Sequence, residues 1–169
     1  MCIRDSPSEV TIVCDKHSNP EWVASDLIGQ AEHDYLAQCI LISKDKSLIE
    51  KVNKEIINQL KEIPRSSIAK KSLMSNGILM YINSEKKIID VVNKIAPEHL
   101  ELNVKNYKSF TKKIKNSGSI CLGKYAVMAM TDYNAGSNHV LPTNGSSKYS
   151  SGISAVSYTH LTLPTTPYV

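Results

Sequence analysis

Apolar and polar positions follow one another in distinct blocks along this chain. "EVTIVC" (Glu9–Cys14) is short, β-branched and almost wholly apolar, the pattern of a buried strand. "NPEWVASDLIGQAEHD" follows, with Asn19 as an N-cap, Pro20 at the first helical position and acids in the first turns. Trp22, Val23, Leu27 and Ala31 supply its apolar face. "QCILIS" (Gln38–Ser43) reads as the next strand. "DKSLIEKVNKEIINQLKEI" places Leu48, Val52, Ile56 and Leu60 at steps of four, an amphipathic helix that Pro64 stops. A short helix near Ser66–Met74 precedes a strand in "GILMYI" (Gly77–Ile82). "SEKKIIDVVNKIA" reads as a helix ended by Pro97, "HLELNV" (His99–Val104) as a strand, "YKSFTKKIKN" as a helix and "GSICLG" (Gly118–Gly123) as a last strand. Strands alternating with helices predict parallel β-α-β units: an α/β, Rossmann-like, open and mainly parallel sheet with flanking helices. Sheets of this kind place ligands at the carboxyl ends of their strands.

Both ends break this grammar. "MCIRDS" (residues 1–6) has no partner pattern, and "VSYTHLTLPTTPYV" (residues 156–169) is rich in Thr and Pro. Both resemble peptides encoded by sequencing-adapter DNA, so the natural domain is expected at residues 7–155, cut at both ends. His160 falls in the second tail and is assigned no role.

Composition narrows the functional classes. The chain has 169 residues and 41% hydrophobic residues, enough for one domain with a real core. Its net charge of +4 comes from lysines scattered over helix faces, with no basic block interleaved with aromatics. Solvated helix surface is therefore expected, and no nucleic-acid partner. The four cysteines lie far apart, and Cys14, Cys39 and Cys121 sit in apolar strand-like runs. That usage favours reduced thiols and a cytoplasmic setting. With no signal peptide and no apolar run of transmembrane length, no membrane partner is expected.

Candidate chemistry falls into three clusters. In "GQAEHD", Gln30 and His33 are three residues apart at the end of the first helix, where both side chains can converge on one ion. The plainer reading is a polar helix end. In "APEHLEL", Glu98 and His99 follow Pro97 at a helix-to-strand junction. They suit shared general acid–base work, or else a surface Glu beside a half-buried His. In "TDYNAGSNHVLPTNG", Asp132 and His139 sit seven residues apart in a loop. Gly136, Asn134 and Asn138 tolerate unusual backbone dihedrals there. Asp132 is a candidate oxygen ligand and His139 a candidate metal or ligand contact, against an Asx-turn with a structural His. His17, in "CDKHSNP", has no companion ligand and reads as surface. The chain has no phosphate-binding G-x-x-x-x-G-K-[ST], no G-x-G-x-x-G and no G-x-S-x-G.

Taken in order, "PSEVTIV", "NPEWVASDLIGQAEHD", "IAPEHLEL" and "DYNAGSNHVLPT" resemble the motifs of the histidinol dehydrogenases, a zinc-dependent, NAD-linked family of histidine biosynthesis. The resemblance spans nearly all of residues 7–155. It implies that Gln30, His33 and Asp132 are zinc ligands, and that Glu98 and His99 are the catalytic acid–base pair. It also implies that Ser8 and His139 contact substrate, together with Gln30, His33, His99 and Asp132. The implied reaction oxidises L-histidinol to L-histidinaldehyde and then to L-histidine, with two hydrides passing to two NAD molecules. Two positions depart from the family pattern: Thr131 stands where Gly is common, and Cys121 where an aromatic is common.

The family's chain is more than twice as long. The segments expected to carry most NAD contacts, and a C-terminal segment that reaches across a homodimer, are not in this sequence. The fold is thus expected to be incomplete relative to the family, and the chain alone inactive. Two rivals remain at this point, a non-catalytic metal- or imidazole-binding α/β module and a basic nucleic-acid-binding domain.

Overall fold

The computed structural model describes residues 7–126, 128 and 141–149. Five strands form one parallel sheet: β1 (Glu9–Cys14), β2 (Gln38–Ser43), β3 (Gly77–Tyr81), β4 (His99–Asn103) and β5 (Ser119–Leu122). The helices are α1 (Pro20–Ala31), α2 (Lys46–Gln59), α3 (Ser66–Asn76), α4 (Glu85–Ile95) and α5 (Tyr107–Thr111). The strand order is β3-β2-β1-β4-β5. The chain winds outward from β1 to β3, then returns past β1 to build β4 and β5, which is the doubly wound arrangement expected from the alternating blocks.

Alternation along the strands gives the sheet two apolar faces. Val10, Ile12, Cys14, Cys39 and Leu41 meet Val23, Leu27, Leu48 and Val52 from α1 and α2 on one face. Val13, Ile40 and Ile42 meet Ile88, Val92 and Phe110 from α4 and α5 on the other, together with Leu100 and Leu102. Every residue of β1 is buried, as its central place requires. β3, at an edge, leaves Ile78, Leu79 and Tyr81 about two-fifths exposed.

Helix starts follow their caps. Asn19 accepts the Glu21 N–H before α1, Asp45 accepts those of Ser47 and Leu48 before α2, and Ser84 accepts that of Lys87 before α4. Helix ends are less legible. α1 stops at Ala31, so His33 lies beyond the helix in a turn. α5 stops at Thr111, and Asn93 of α4 takes up the freed chain by accepting the Lys115 N–H at 2.7 Å. Trp22, expected on the apolar face of α1, is 41% exposed and meets the Tyr125 ring at a centroid distance of 5.8 Å. The core is filled by Val23, Leu27 and Ala31, one helical step round from it. The expected tails, residues 1–6 and 156–169, lie outside the described residues. No helix among the described residues is long and apolar enough to cross a membrane.

Candidate active site at the amino edge of the sheet

α4 ends in a left-handed residue, Ala96 (φ 56°), directly before Pro97. The turn delivers Glu98 to the position just before β4 and His99 to its first position, both 7% exposed. The Glu98 Oε2 accepts the Glu9 N–H at 3.0 Å, and the Glu98 N–H in turn bonds the Glu9 carboxylate. His99 Nδ1 lies 3.0 Å from Ser119 Oγ at the start of β5, and its Nε2 lies 3.7 Å from Glu98 Oε1. An imidazole is thereby held from both sides, by a hydroxyl and by a carboxylate, in a site largely shielded from water. Gly118 makes this junction possible: its N–H bonds the Pro97 carbonyl at 2.9 Å, and a Cβ there would sit 2.6 Å from the Glu98 carbonyl oxygen.

The other expected residues divide. Ser8, half-buried, precedes β1 and accepts the Gln38 N–H at its carbonyl, so it lies at the same amino edge. Gln30 is 1% exposed, whereas His33 is exposed. Both sit where α1 hands over to β2, which is again the amino edge. Asp132 and His139 lie outside the described residues, as does most of their loop. An amide oxygen, an imidazole nitrogen and a carboxylate oxygen are donors that zinc accepts, so the expected ligand set fits a divalent zinc in chemical type. Among the described residues, no three His, Cys, Asp or Glu side chains are grouped to hold a metal.

The candidate site residues therefore do not lie at the carboxyl ends of the strands, where sheets of this kind usually place ligands. Ser8, Glu98 and His99 all precede or begin their strands, and α1 runs back across the sheet to bring Gln30 and His33 to the same edge. At the carboxyl edge lies a cavity of about 610 Å³ lined by Asp15, His17, Lys44, Asp45, Tyr81 and Lys105 among others. None of the expected site residues lines it. His17 is exposed there, as read from sequence.

Three groups were not singled out from sequence. Glu9 is 7% exposed, and burial pushes its carboxyl upward, opposed by the N–H groups of Asn144 and Glu98. Asn144 belongs to the short stretch 141–149, which also bonds the Ala96 carbonyl through Ser147 Oγ at 3.1 Å. Ser119 orients His99. Glu101, 3% exposed, sits two residues further along β4 on the same face as His99. The signal for Glu9 and Glu101 was a charged residue inside an otherwise buried strand, which demands a partner.

The buried thiols are as expected. Cys14, Cys39 and Cys121 are buried, and burial pushes Cys14 and Cys39 up to about 12.

Comparison with known proteins fits this geometry. The histidinol dehydrogenase family model matches residues 3–164. The chain is 80% identical over 148 residues to histidinol dehydrogenase of Pelagibacter ubique, covering 88% of this chain and 35% of that protein. It is 44% identical over 153 residues to the Listeria monocytogenes enzyme, covering 90% and 36%. The crystal structure of histidinol dehydrogenase from Elizabethkingia anophelis superposes with a TM-score of 0.86 at 40% identity, over 90% of this chain and 35% of that one. The chain thus spans about a third of the length of the relatives it matches. With residues 3–164 matched by the family model, and the fold shared with a solved member, the chain belongs to the histidinol dehydrogenase family.

Proposed function

We propose that this chain is the zinc- and substrate-holding part of an NAD-linked histidinol dehydrogenase, which converts L-histidinol through L-histidinaldehyde to L-histidine. The observation that carries this reading is the buried Glu98–His99 pair, with the His99 ring held at Nδ1 by Ser119, in a chain of that family. Gln30, His33 and Asp132 would hold zinc, which when bound would give a fixed point for the substrate's imidazole and amino nitrogens, and NAD would be the hydride acceptor.

The chain's own residues carry the protons. With Nδ1 occupied by Ser119, His99 receives the hydroxyl proton at Nε2 as hydride leaves the carbinol carbon. The imidazolium so formed faces the Glu98 carboxylate. Glu98 then takes a proton from water as the oxygen adds to the aldehyde, because only the hydrate has a hydride to give at that carbon. The imidazolium returns its proton to the aldehyde oxygen as that addition occurs, which completes the hydrate and leaves His99 neutral. His99 is then ready to receive the hydrate's hydroxyl proton in the second oxidation. Ser8 and His139 contact the substrate and hold it against this pair.

The reading includes a cytoplasmic homodimer of the full-length enzyme, and NAD contacts outside this chain. The chain spans about a third of its relatives, so it is expected to give no NADH from L-histidinol by itself. Clear turnover by the purified 169-residue chain would overturn that part. Zinc titration of this chain against its His33→Ala variant tests the ligand set. Weaker binding in the variant is expected, and equal affinity removes His33 from the site.

A further inference from the structure

The carboxyl edge of the sheet gathers charge of one sign. β1, β2, β3 and β4 end level with one another: Cys14 is the Cα partner of both Ser43 and Asn103, and Ser43 is that of Tyr81. Adjacent strands lie about 4.8 Å apart, so the residues that follow these ends are close neighbours. Lys16, Lys44, Lys46 and Lys105 follow them and line the cavity of about 610 Å³, all four exposed. They belong to three connections far apart in the chain, so no basic run in the sequence announces them. Two carboxylates, Asp15 and Asp45, share the wall.

Both carboxylates are already committed to the backbone. Asp15 accepts the His17 N–H at 2.9 Å through Oδ1 and the Lys105 N–H at 2.8 Å through Oδ2. Asp45 caps α2, accepting the N–H groups of Ser47 and Leu48 at Oδ1. Glu85 lines an adjoining hollow that shares Lys44 and Lys105, and it pairs with Lys113 at 3.4 Å. Among the described residues, none of the four cavity lysines is in an ion pair. Lys46 rests its ammonium 4.8 Å over the Tyr81 ring, which holds it at the wall. α2 also begins at this cavity, and its dipole adds positive potential. A lysine on an open helix face is surrounded by water. Ammoniums gathered in one concavity repel one another, and an anion of high charge relieves that repulsion.

We propose that this cavity is a second binding site, on the opposite edge of the sheet from the Glu98–His99 pair, for a compound carrying a terminal diphosphate group. Lys16, Lys44 and Lys105, with Lys46 at the wall, suit a group with several negative charges and many acceptor oxygens. A terminal phosphate carries close to two negative charges near neutral pH. The bridging diphosphate of a dinucleotide such as NAD has a single charge on each phosphorus and makes less use of the cavity. Inorganic pyrophosphate and a nucleoside diphosphate both present the terminal group, and the experiment separates them. The site shares no residue with the proposed zinc and substrate site, so it stands or falls independently of that reading.

The experiment titrates the 169-residue chain at low salt with inorganic pyrophosphate, ADP and NAD in turn, followed by calorimetry and by the phosphorus NMR line of each compound. Pyrophosphate is expected to bind, and Lys44→Gln and Lys105→Gln each to weaken it about tenfold. Both lysines are exposed, so neither change disturbs the core. Lys51→Gln, at an exposed position of α2 outside the cavity, is the control and is expected to leave the affinity unchanged. Added salt is expected to weaken binding by screening the ammoniums. Tighter binding of ADP than of pyrophosphate assigns the site to a nucleotide, and equal binding assigns it to the diphosphate alone; both support the site. Failure of pyrophosphate and ADP alike to bind at millimolar concentration overturns it. So does an equal loss in Lys51→Gln, the mark of diffuse charge. NAD binding more tightly than either compound also overturns it, because the cavity would then be a dinucleotide site.

Discussion

Glu9 and Glu98 grip each other across β1 and β4. The Glu9 N–H donates to Glu98 Oε2 at 3.0 Å, and the Glu98 N–H returns the bond to the Glu9 carboxylate. Neighbouring strands are thus joined by side chains at the point where the backbone ladder begins, beside the His99 ring. Removing the Glu98 carboxylate leaves the buried Glu9 N–H without that acceptor. Glu98→Ala is expected to cost about 1–3 kcal/mol in chemical denaturation, and Glu98→Gln, which keeps an acceptor oxygen, clearly less. Equal losses in the two variants would show that the acceptor is not what matters.

Gly118 lets β5 approach the β4 entry. A Cβ placed there would lie 2.6 Å from the Glu98 carbonyl oxygen, a backbone atom that cannot rotate away. Gly118→Ala is expected to destabilise by about 1–3 kcal/mol, read as a lowered thermal midpoint. Because the strain falls on the Glu98 carbonyl, amide shifts of Ser119 and His99 should move with it. A variant as stable as the parent would mean that the junction opens freely.

Burial decides thiol reactivity. Cys14 and Cys39, pushed to about 12, hold almost no thiolate at pH 8. Alkylation of the native chain at pH 8, followed by mass spectrometry, is expected to leave both unlabelled until denaturant is added. Rapid labelling without denaturant would contradict their enclosure between sheet and helices.

Leu41 and Trp22 separate core from apolar surface. Leu41 is fully buried in β2 against the α1–α2 face, so Leu41→Ala is expected to cost about 2–5 kcal/mol. Trp22 is 41% exposed and keeps its ring near Tyr125, so Trp22→Ala should cost well under the Leu41 figure. Urea midpoints at one pH compare the two directly. A larger loss at Trp22 would return it to the core face read from sequence.

The sequence by itself determined the elements, because their signals are local. Apolar runs such as Glu9–Cys14, caps such as Asn19 and Asp45, and stops such as Pro64 and Pro97 act within a few residues, and strand–helix alternation then leaves few topologies. The ordered motifs likewise singled out Ser8, Gln30, His33, Glu98 and His99 as candidates before any coordinates. Tertiary structure alone decided which edge of the sheet these residues occupy. A strand's sequence says that its ends differ, but only the β3-β2-β1-β4-β5 order and the return path of α1 bring Ser8, Gln30 and His99 to the amino edge together. It alone also paired Glu9 with Glu98 and His99 with Ser119. Those contacts join residues tens of positions apart, and a buried charge in a strand announces its need for a partner without naming one.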